Sequence, residues 1–234
     1  EEEVLKKSDA VLVVGNTMKE NFLHHTDKIE VITNGFDTNE KVSSQDLDRK
    51  FSITHVGLMN SDRNPKILWQ VLKEICDTHS DFKKDLIIRL IGKVDSGVAD
   101  DLKIFDASTI EMISYLNHQE VSKHQSSTQV LLLSINNVPS AKAIITGKIF
   151  EYLQAKRPIL AIGPEDGDAA LILKNTNAGN IFGFNTKEAL KNHVLELYQQ
   201  YKNKTLAIQS KNIQQYHRKE LTSQLAKVIN KIVS

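Results

Sequence analysis

The chain has 234 residues, of which 40% are hydrophobic and 25% are charged, a composition typical of a water-soluble globular protein. Its formal net charge of +1 excludes the strongly basic surface of a dedicated nucleic-acid-binding protein. Cys76 is the only cysteine, which excludes an internal disulfide and fits a reducing compartment such as the cytoplasm. No apolar run approaches the roughly 20 residues that span a bilayer.

The first 37 residues predict a small unit of strands and a helix. Apolar runs over 10–14 and 29–33 are typical of buried strands, and a helix is expected over 16–25 between them. The chain begins with three glutamates, neither an initiator methionine nor a signal peptide. We therefore expect residues 1–37 to be the remnant of a larger N-terminal domain. Residues 38–50 are polar and aperiodic, which predicts a linker before a main domain over 51–234.

The main domain alternates apolar runs of strand length with helical periodicities. Strands are expected over 51–57, 86–92, 110–116 and 130–134, after Pro158, and over 181–182. Helices are expected from Asn64-Pro65 to Ile75, then over 96–105, 117–124, 146–157, 168–174 and 187–201, and near the C-terminus. This alternation predicts a parallel sheet with helices on both faces. The last helix carries an apolar stripe that we interpret as core packing: Leu221, Leu225, Val228, Ile229 and Ile232.

Two of the predicted strands end in a glycine, Gly57 and Gly92. They end at the carboxyl edge, where open α/β sheets bind ligands. The loop after Gly57 carries Arg63, a candidate phosphate contact because a guanidinium matches phosphate geometry. An arginine that pairs with Asp62 or lies on the surface is the alternative. The sequence contains no Gly-x-Gly-x-x-Gly, no Gly-x-Ser-x-Gly and no Cys/His set with metal-ligand spacing, so we expect no NAD-type site and no metal.

The segment 146–164 is the strongest functional signal. It predicts a helix that is capped by Thr146 and stopped at Pro158. Gly147 and Lys148 in its first turn predict an anion site, because free amides and the helix dipole favour negative charge there. Glu151, one turn later, is placed to accept hydrogen bonds from hydroxyls of the same ligand. Together these features describe a nucleoside diphosphate; a solvated ion pair between Lys148 and Glu151 is the open alternative.

The same segment carries a family resemblance. Gly-Lys-Ile-Phe-Glu-Tyr-Leu over 147–153, the run 157–164, Gly167-Asp168 and Ala178-Gly179 resemble the donor-binding segment of group 1 (family 4-like) glycosyltransferases. The resemblance implies the C-terminal, donor-binding half of a GT-B fold, which is Rossmann-like. It also implies a UDP- or GDP-sugar as the donor.

The resemblance further implies roles for individual residues. Lys148, with Arg63, Thr146 and Gly147, would bind the donor diphosphate, and Glu151 would bind the ribose. The remaining donor-site loop candidates are Gly57, Gly92, Tyr115 and His118. Of these, Tyr115 and His118 would face the base, the alternatives being a core tyrosine and a helix-cap histidine.

The implied activity is a hexosyltransferase-type transfer of sugar to a hydroxyl acceptor, saccharide or lipid-linked, as in polysaccharide biosynthesis. No cofactor or metal is expected. A cytoplasmic location is expected, with the protein bound peripherally at the inner face of the membrane as an alternative. Without an N-terminal half, this chain is expected to bind the donor but to transfer no sugar. Many family members carry a first glutamate where Ala143 stands here, which leaves the donor sugar open. A GT-B nucleotide-sugar epimerase and a non-catalytic binding module remain alternatives.

Overall fold

A computed structural model describes residues 2–37 and 46–233. The strands are β1 (Val11–Val13), β2 (Ile29–Val31), β3 (Phe51–Val56), β4 (Leu86–Ile91), β5 (Ile110–Ile113), β6 (Val130–Ser134), β7 (Ile159–Ile162) and β8 (Gly179–Phe182). The helices are α1 (Glu2–Lys7), α2 (Asn16–Phe22), α3 (Lys66–Thr78), α4 (Ser80–Asp85), α5 (Ser96–Asp101), α6 (His118–Ser127), α7 (Lys148–Ala155), α8 (Asp168–Thr176), α9 (Lys187–Lys202) and α10 (Arg218–Val233).

Strands β3 to β8 form one sheet in the order β5-β4-β3-β6-β7-β8, and every neighbouring pair is parallel. The chain builds outward from β3 to β5 and then crosses to β6 on the other side of β3. The direction of winding therefore reverses between β3 and β6, which is where open α/β sheets form a ligand crevice. The sheet confirms the predicted Rossmann-like architecture.

Helices cover both faces of this sheet. On one face α3 and α9 pack against the sheet in a core that includes Trp69, Leu72 and Val194. On the other face α7 and α8 contribute Phe150 and Leu173 to a second core. Because both faces are buried, β4, β6 and β7 are nearly continuous apolar runs. β3 is also buried, but it carries the polar residues Ser52, Thr54 and His55.

Residues 2–37, the small N-terminal unit, carry a second sheet in which β1 pairs with β2 in parallel, and Phe36 of this unit packs into the second core of the main sheet. Its helix α2 begins at the Asp168 carboxylate of the main sheet unit, which accepts hydrogen bonds from the backbone amides of Asn16 (3.0 Å) and Thr17 (3.2 Å). Gly15 precedes these amides, and a Cβ there would lie 2.4 Å from an Asp168 oxygen. The start of α2 is thus capped by a side chain from α8 rather than by its own sequence.

The end of the predicted linker contacts the main unit. Residues 38–45 of that linker lie outside the described ranges, whereas the Asp48 amide donates to the Ser127 carbonyl at 2.7 Å. The Asp48 carboxylate also pairs with buried Arg89 at 2.6 Å. The last linker residues therefore lie against the sheet.

Several element boundaries differ from expectation. Helix α3 was expected to begin at Asn64-Pro65, but it begins at Lys66 with Pro65 as its N-cap. The Asn64 amide oxygen lies outside the helix and accepts from the Trp69 indole at 2.8 Å. Strand β5 ends at Ile113 rather than 116, because the chain leaves the sheet edge there. The stripe on α10 is only partly core: Leu221 is buried, whereas Ile229 is 48% exposed. No helix in the described ranges is long and apolar enough to cross a membrane.

Candidate functional site

A crevice opens where β3 and β6 diverge at the carboxyl edge of the sheet. The two strands pair only as far as Thr54 and Leu131. Beyond that point the Val56 amide donates to the Tyr152 hydroxyl at 3.0 Å, and this hydroxyl donates to the Leu132 carbonyl at 3.3 Å. A buried tyrosine from α7 thus satisfies backbone groups that lack a strand partner, and this holds the crevice open.

Gly57, directly after β3, lets a lysine cross the crevice. Its φ is +100°, a conformation that favours glycine. A Cβ added at Gly57 would lie 2.7 Å from Cε of Lys148. Gly92, after β4, has a φ of +117°, and a Cβ there would lie 3.0 Å from the Gly57 backbone. Gly57 therefore makes room for Lys148, and Gly92 makes room for Gly57.

Lys148 is a half-buried cation without a carboxylate partner. Its Nζ lies 3.3 Å from Nε2 of His55. Within the described ranges, no carboxylate oxygen lies within 4.0 Å of this Nζ, the limit for an ion pair. Burial lowers the pKa of Lys148 to about 8; the Arg63 guanidinium acts in the same direction and the Glu151 carboxylate opposes it. A charge held this way is available to an anion from outside.

Arg63 lies in the loop after Gly57 and is anchored from β6. Its Nε donates to the Asn136 amide oxygen at 2.7 Å, and its carbonyl accepts from the Ser134 hydroxyl at 2.7 Å. The predicted alternative, a pair with Asp62, is not formed. The structure thus brings Arg63 and Lys148 to one edge of the sheet from positions 85 residues apart in the sequence, and each raises the local positive potential.

The first turn of α7 presents free amides. Thr146 was expected to cap this helix, but that prediction is wrong: Gly147 is the N-cap, and the Thr146 hydroxyl is buried without a hydrogen-bond partner among the described residues. Within those residues the backbone amides of Thr146, Gly147 and Lys148 donate to no protein acceptor. Free amides at the start of an α-helix favour a bound anion.

Glu151, one turn further along α7, has a different environment. Its side chain is exposed and accepts a hydrogen bond from the buried Gln125 amide at 3.1 Å. It forms no ion pair with Lys148, so the predicted surface pair between them is not what the structure shows. Glu151 and Lys148 instead face two different surroundings.

Glu151 lines a cleft of about 540 Å³ next to the crevice. Gly147 and His118 lie on the same side, and the opposite wall comes from residues 32–37 and the start of α10. Tyr115 does not line this cleft and is 89% exposed, so the core-tyrosine alternative is wrong. His118 is the first residue of α6, and the capping residue is Asn117, whose side chain accepts from the Glu120 amide.

Sequence reasoning missed four residues that shape the site: His55, Gln125, Asn136 and Tyr152. Only His55 carried a usable signal, because a histidine two residues before the end of a predicted buried strand is unusual. In the described ranges no cluster of three or more His, Cys, Asp or Glu side chains could hold a metal ion.

Several solved structures with the same fold are glycosyltransferases. HepE from Anabaena, solved with UDP-glucose, is 12% identical with a TM-score of 0.70, covering 98% of this chain and 66% of its own. The fold is that of the GT-B glycosyltransferases. TarM of S. aureus, solved with UDP, is 15% identical with a TM-score of 0.66, and the match covers 98% of this chain and 45% of TarM. The pneumococcal O-GlcNAc transferase GtfA, solved with UDP and GlcNAc, is 15% identical with a TM-score of 0.61, and the match covers 99% of this chain and 47% of GtfA.

These likenesses concern the fold, since every identity is low. The chain spans between 45% and 66% of the length of these three structures. No protein-family model matches the sequence, and no curated protein is significantly similar to it.

Proposed function

We propose that the crevice beside Lys148 binds the diphosphate of a nucleotide-sugar donor, and that the chain is the donor-binding part of a glycosyltransferase. One observation carries this proposal: among the described residues, the half-buried ammonium of Lys148 has no carboxylate partner and lies at a helix start whose backbone amides donate to no protein acceptor. Unpaired buried cations are costly, so they are retained where a ligand supplies the missing charge. The UDP complexes of the structural neighbours support UDP as the first nucleotide to test.

The proposed chemistry follows from where charge develops. When a sugar leaves a nucleoside diphosphate, negative charge grows on the departing phosphate oxygens. Lys148, Arg63 and the free amides before α7 would stabilise that charge in a site arranged before the ligand arrives. Glu151, on the cleft side, would accept hydrogen bonds from the ribose hydroxyls. These cations fit a transfer that needs no metal.

The full reaction needs more than this site. We propose transfer of a hexosyl group to a hydroxyl of a saccharide or lipid-linked acceptor, with acceptor-positioning groups from an N-terminal domain of which residues 2–37 are part. Holding donor and acceptor together supplies much of the rate enhancement of such enzymes. We therefore expect this chain alone to bind donor without transferring it.

Calorimetry with Lys148→Ala tests the donor site. Hydrogen bonds to charged groups contribute about 1.5–3 kcal/mol, so UDP or GDP affinity should fall about 10- to 150-fold. Lys174→Ala is the matched control, because Lys174 is an exposed lysine in the last turn of α8 and its loss removes the same charge. Equal affinity in the wild type and Lys148→Ala would contradict the proposal.

A binding module without transfer is the second candidate, and Ala143 favours it. This residue ends the short 3-10 turn Ala141–Ala143 before α7 and carries only a methyl group where the resemblance expects a carboxylate. A chain completed by its N-terminal domain that binds UDP-sugar, yet transfers to no acceptor, would support this second function.

A further inference from the structure

His55 lies on β3, two residues before Gly57, with a fully buried side chain. Its Nδ1 lies 3.1 Å from the Leu132 carbonyl oxygen. Because a carbonyl oxygen can only accept, Nδ1 carries the proton and Nε2 has a free lone pair. Nε2 faces Nζ of Lys148 at 3.3 Å. An ammonium can only donate, so the tautomer set by Leu132 matches the needs of Lys148.

The imidazole is neutral. Burial and then the Lys148 ammonium lower the pKa of His55 to about 3, and the carbonyls of Leu132 and Leu58 only partly oppose them. The charged groups close enough to shift the pKa of Lys148 are Arg63 from the loop after β3, which lowers it, and Glu151 from α7, which raises it without forming an ion pair. A carboxylate in place of His55 would fix the ammonium equally well, but it would cancel the charge that an anion needs. A neutral acceptor fixes the ammonium and leaves its charge available.

We propose that His55 is the positioning residue for Lys148: it holds the ammonium over Gly57 through Nε2 and leaves the other two N–H groups of Nζ to face the anion. The proposal rests on the proposed function of Lys148 as a diphosphate contact. Its geometry spans 93 residues of sequence, from β3 to α7.

Two substitutions separate the two nitrogens of the ring. His55→Gln places an amide oxygen near the position of Nε2, where it accepts from Lys148. His55→Asn is shorter and keeps only a donor near the position of Nδ1 for Leu132. We expect His55→Asn to weaken UDP about 5- to 10-fold, and His55→Gln to stay within about threefold of the wild type. In the background of Lys148→Ala, His55→Asn should cause no further loss, since the two residues act as one unit.

A second readout needs no ligand. In the nucleotide-free chain, the Cε resonance of Lys148 followed by NMR against pH gives the pKa of this lysine. His55→Asn should lower that pKa further, because the ammonium loses an acceptor, whereas His55→Gln should not. If neither variant folds, ring nitrogen shifts of the wild type still decide: protonation at Nδ1 supports the proposal, and protonation at Nε2 overturns it.

The outcomes distinguish this proposal from the proposed function. A wild type that binds no nucleotide refutes the donor site, while the lysine titration still tests positioning by His55. Equal loss of UDP affinity in both variants, with an unchanged Lys148 titration, would make His55 a core residue and overturn the proposal.

Discussion

The two ends of the candidate site differ although they are three residues apart on α7. The Lys148 end is enclosed: the lysine is half-buried, it passes over Gly57 and it contacts buried His55. The Glu151 end is exposed, contacts Gln125 alone among the hydrogen bonds of the described residues, and faces a cleft of about 540 Å³. The Lys148 end is held in place by residues of β3 and the loop after it, whereas the Glu151 end is bordered by residues 32–37 and by α10.

This difference suggests that the two ends contact different parts of the nucleotide. Electrostatic interactions are stronger and need less rearrangement in an enclosed site, so the Lys148 end suits the diphosphate that UDP- and GDP-sugars share. The Glu151 end borders residues 32–37 and α10, so its shape depends on how the small N-terminal unit lies against the sheet. Selection among nucleosides is therefore expected at the open end.

The largest expected effect comes from Gly57→Ala, which removes the enclosed end. Its φ of +100° would strain an alanine by about 1–3 kcal/mol, and the new Cβ would displace Lys148. We expect a loss of stability of that size in urea denaturation and a loss of UDP affinity at least as great as that of Lys148→Ala.

Gly147→Ala is the control for Gly57→Ala. Its φ is −56°, and an added Cβ meets no atom within 4 Å, so fold stability should stay within about 0.5 kcal/mol. Similar destabilisation by the two alanines would contradict the special role of Gly57.

A pH-dependent effect on stability is expected from Lys148→Met. Burial lowers the pKa of Lys148 from its ordinary 10.5 to about 8. Between pH 8 and 10.5 the unfolded chain therefore holds a proton that the folded chain has lost, so wild-type stability rises with pH in that window. Methionine keeps the aliphatic stem without the buried charge, and it should be more stable than wild type below pH 8. Urea denaturation at pH 7, 8, 9.5 and 10.5 should show that the stability difference between Lys148→Met and wild type becomes smaller as the pH rises. A difference that stays constant would refute this prediction, and Lys174→Met serves as the control.

The smallest effect is expected at the open end, from Glu151→Gln. An exposed hydrogen bond contributes about 0.5–1.5 kcal/mol, so UDP should weaken about 2- to 10-fold. A 2′,3′-dideoxy analogue of UDP should weaken less, because it lacks the hydroxyls that Glu151 would accept from. Equal losses for both ligands in calorimetry would show that Glu151 does not contact the ribose.

The order of strands and helices in the main unit followed from the sequence alone, apart from the short helix α4, which was not expected. Apolar runs and helical periodicities report burial of local segments, and their alternation leaves few topologies besides a parallel sheet. The same reasoning placed Gly57 and the loop with Arg63 at the carboxyl edge, whereas Lys148 was singled out by its position at a helix start. Local patterns failed at element ends, as at Pro65 and Thr146, because capping depends on which groups the surroundings leave free.

Only the tertiary structure decided which distant side chains meet. Asp168 caps α2 from 152 residues away, and His55 meets Lys148 across 93 residues. Neither contact has a sequence pattern, since hydrogen bonds between remote elements depend on packing angles and strand register, which periodicity does not encode. The enclosed charge of Lys148 has the same origin: this lysine in a first helical turn becomes half-buried because Gly57, directly after β3, lies beneath it.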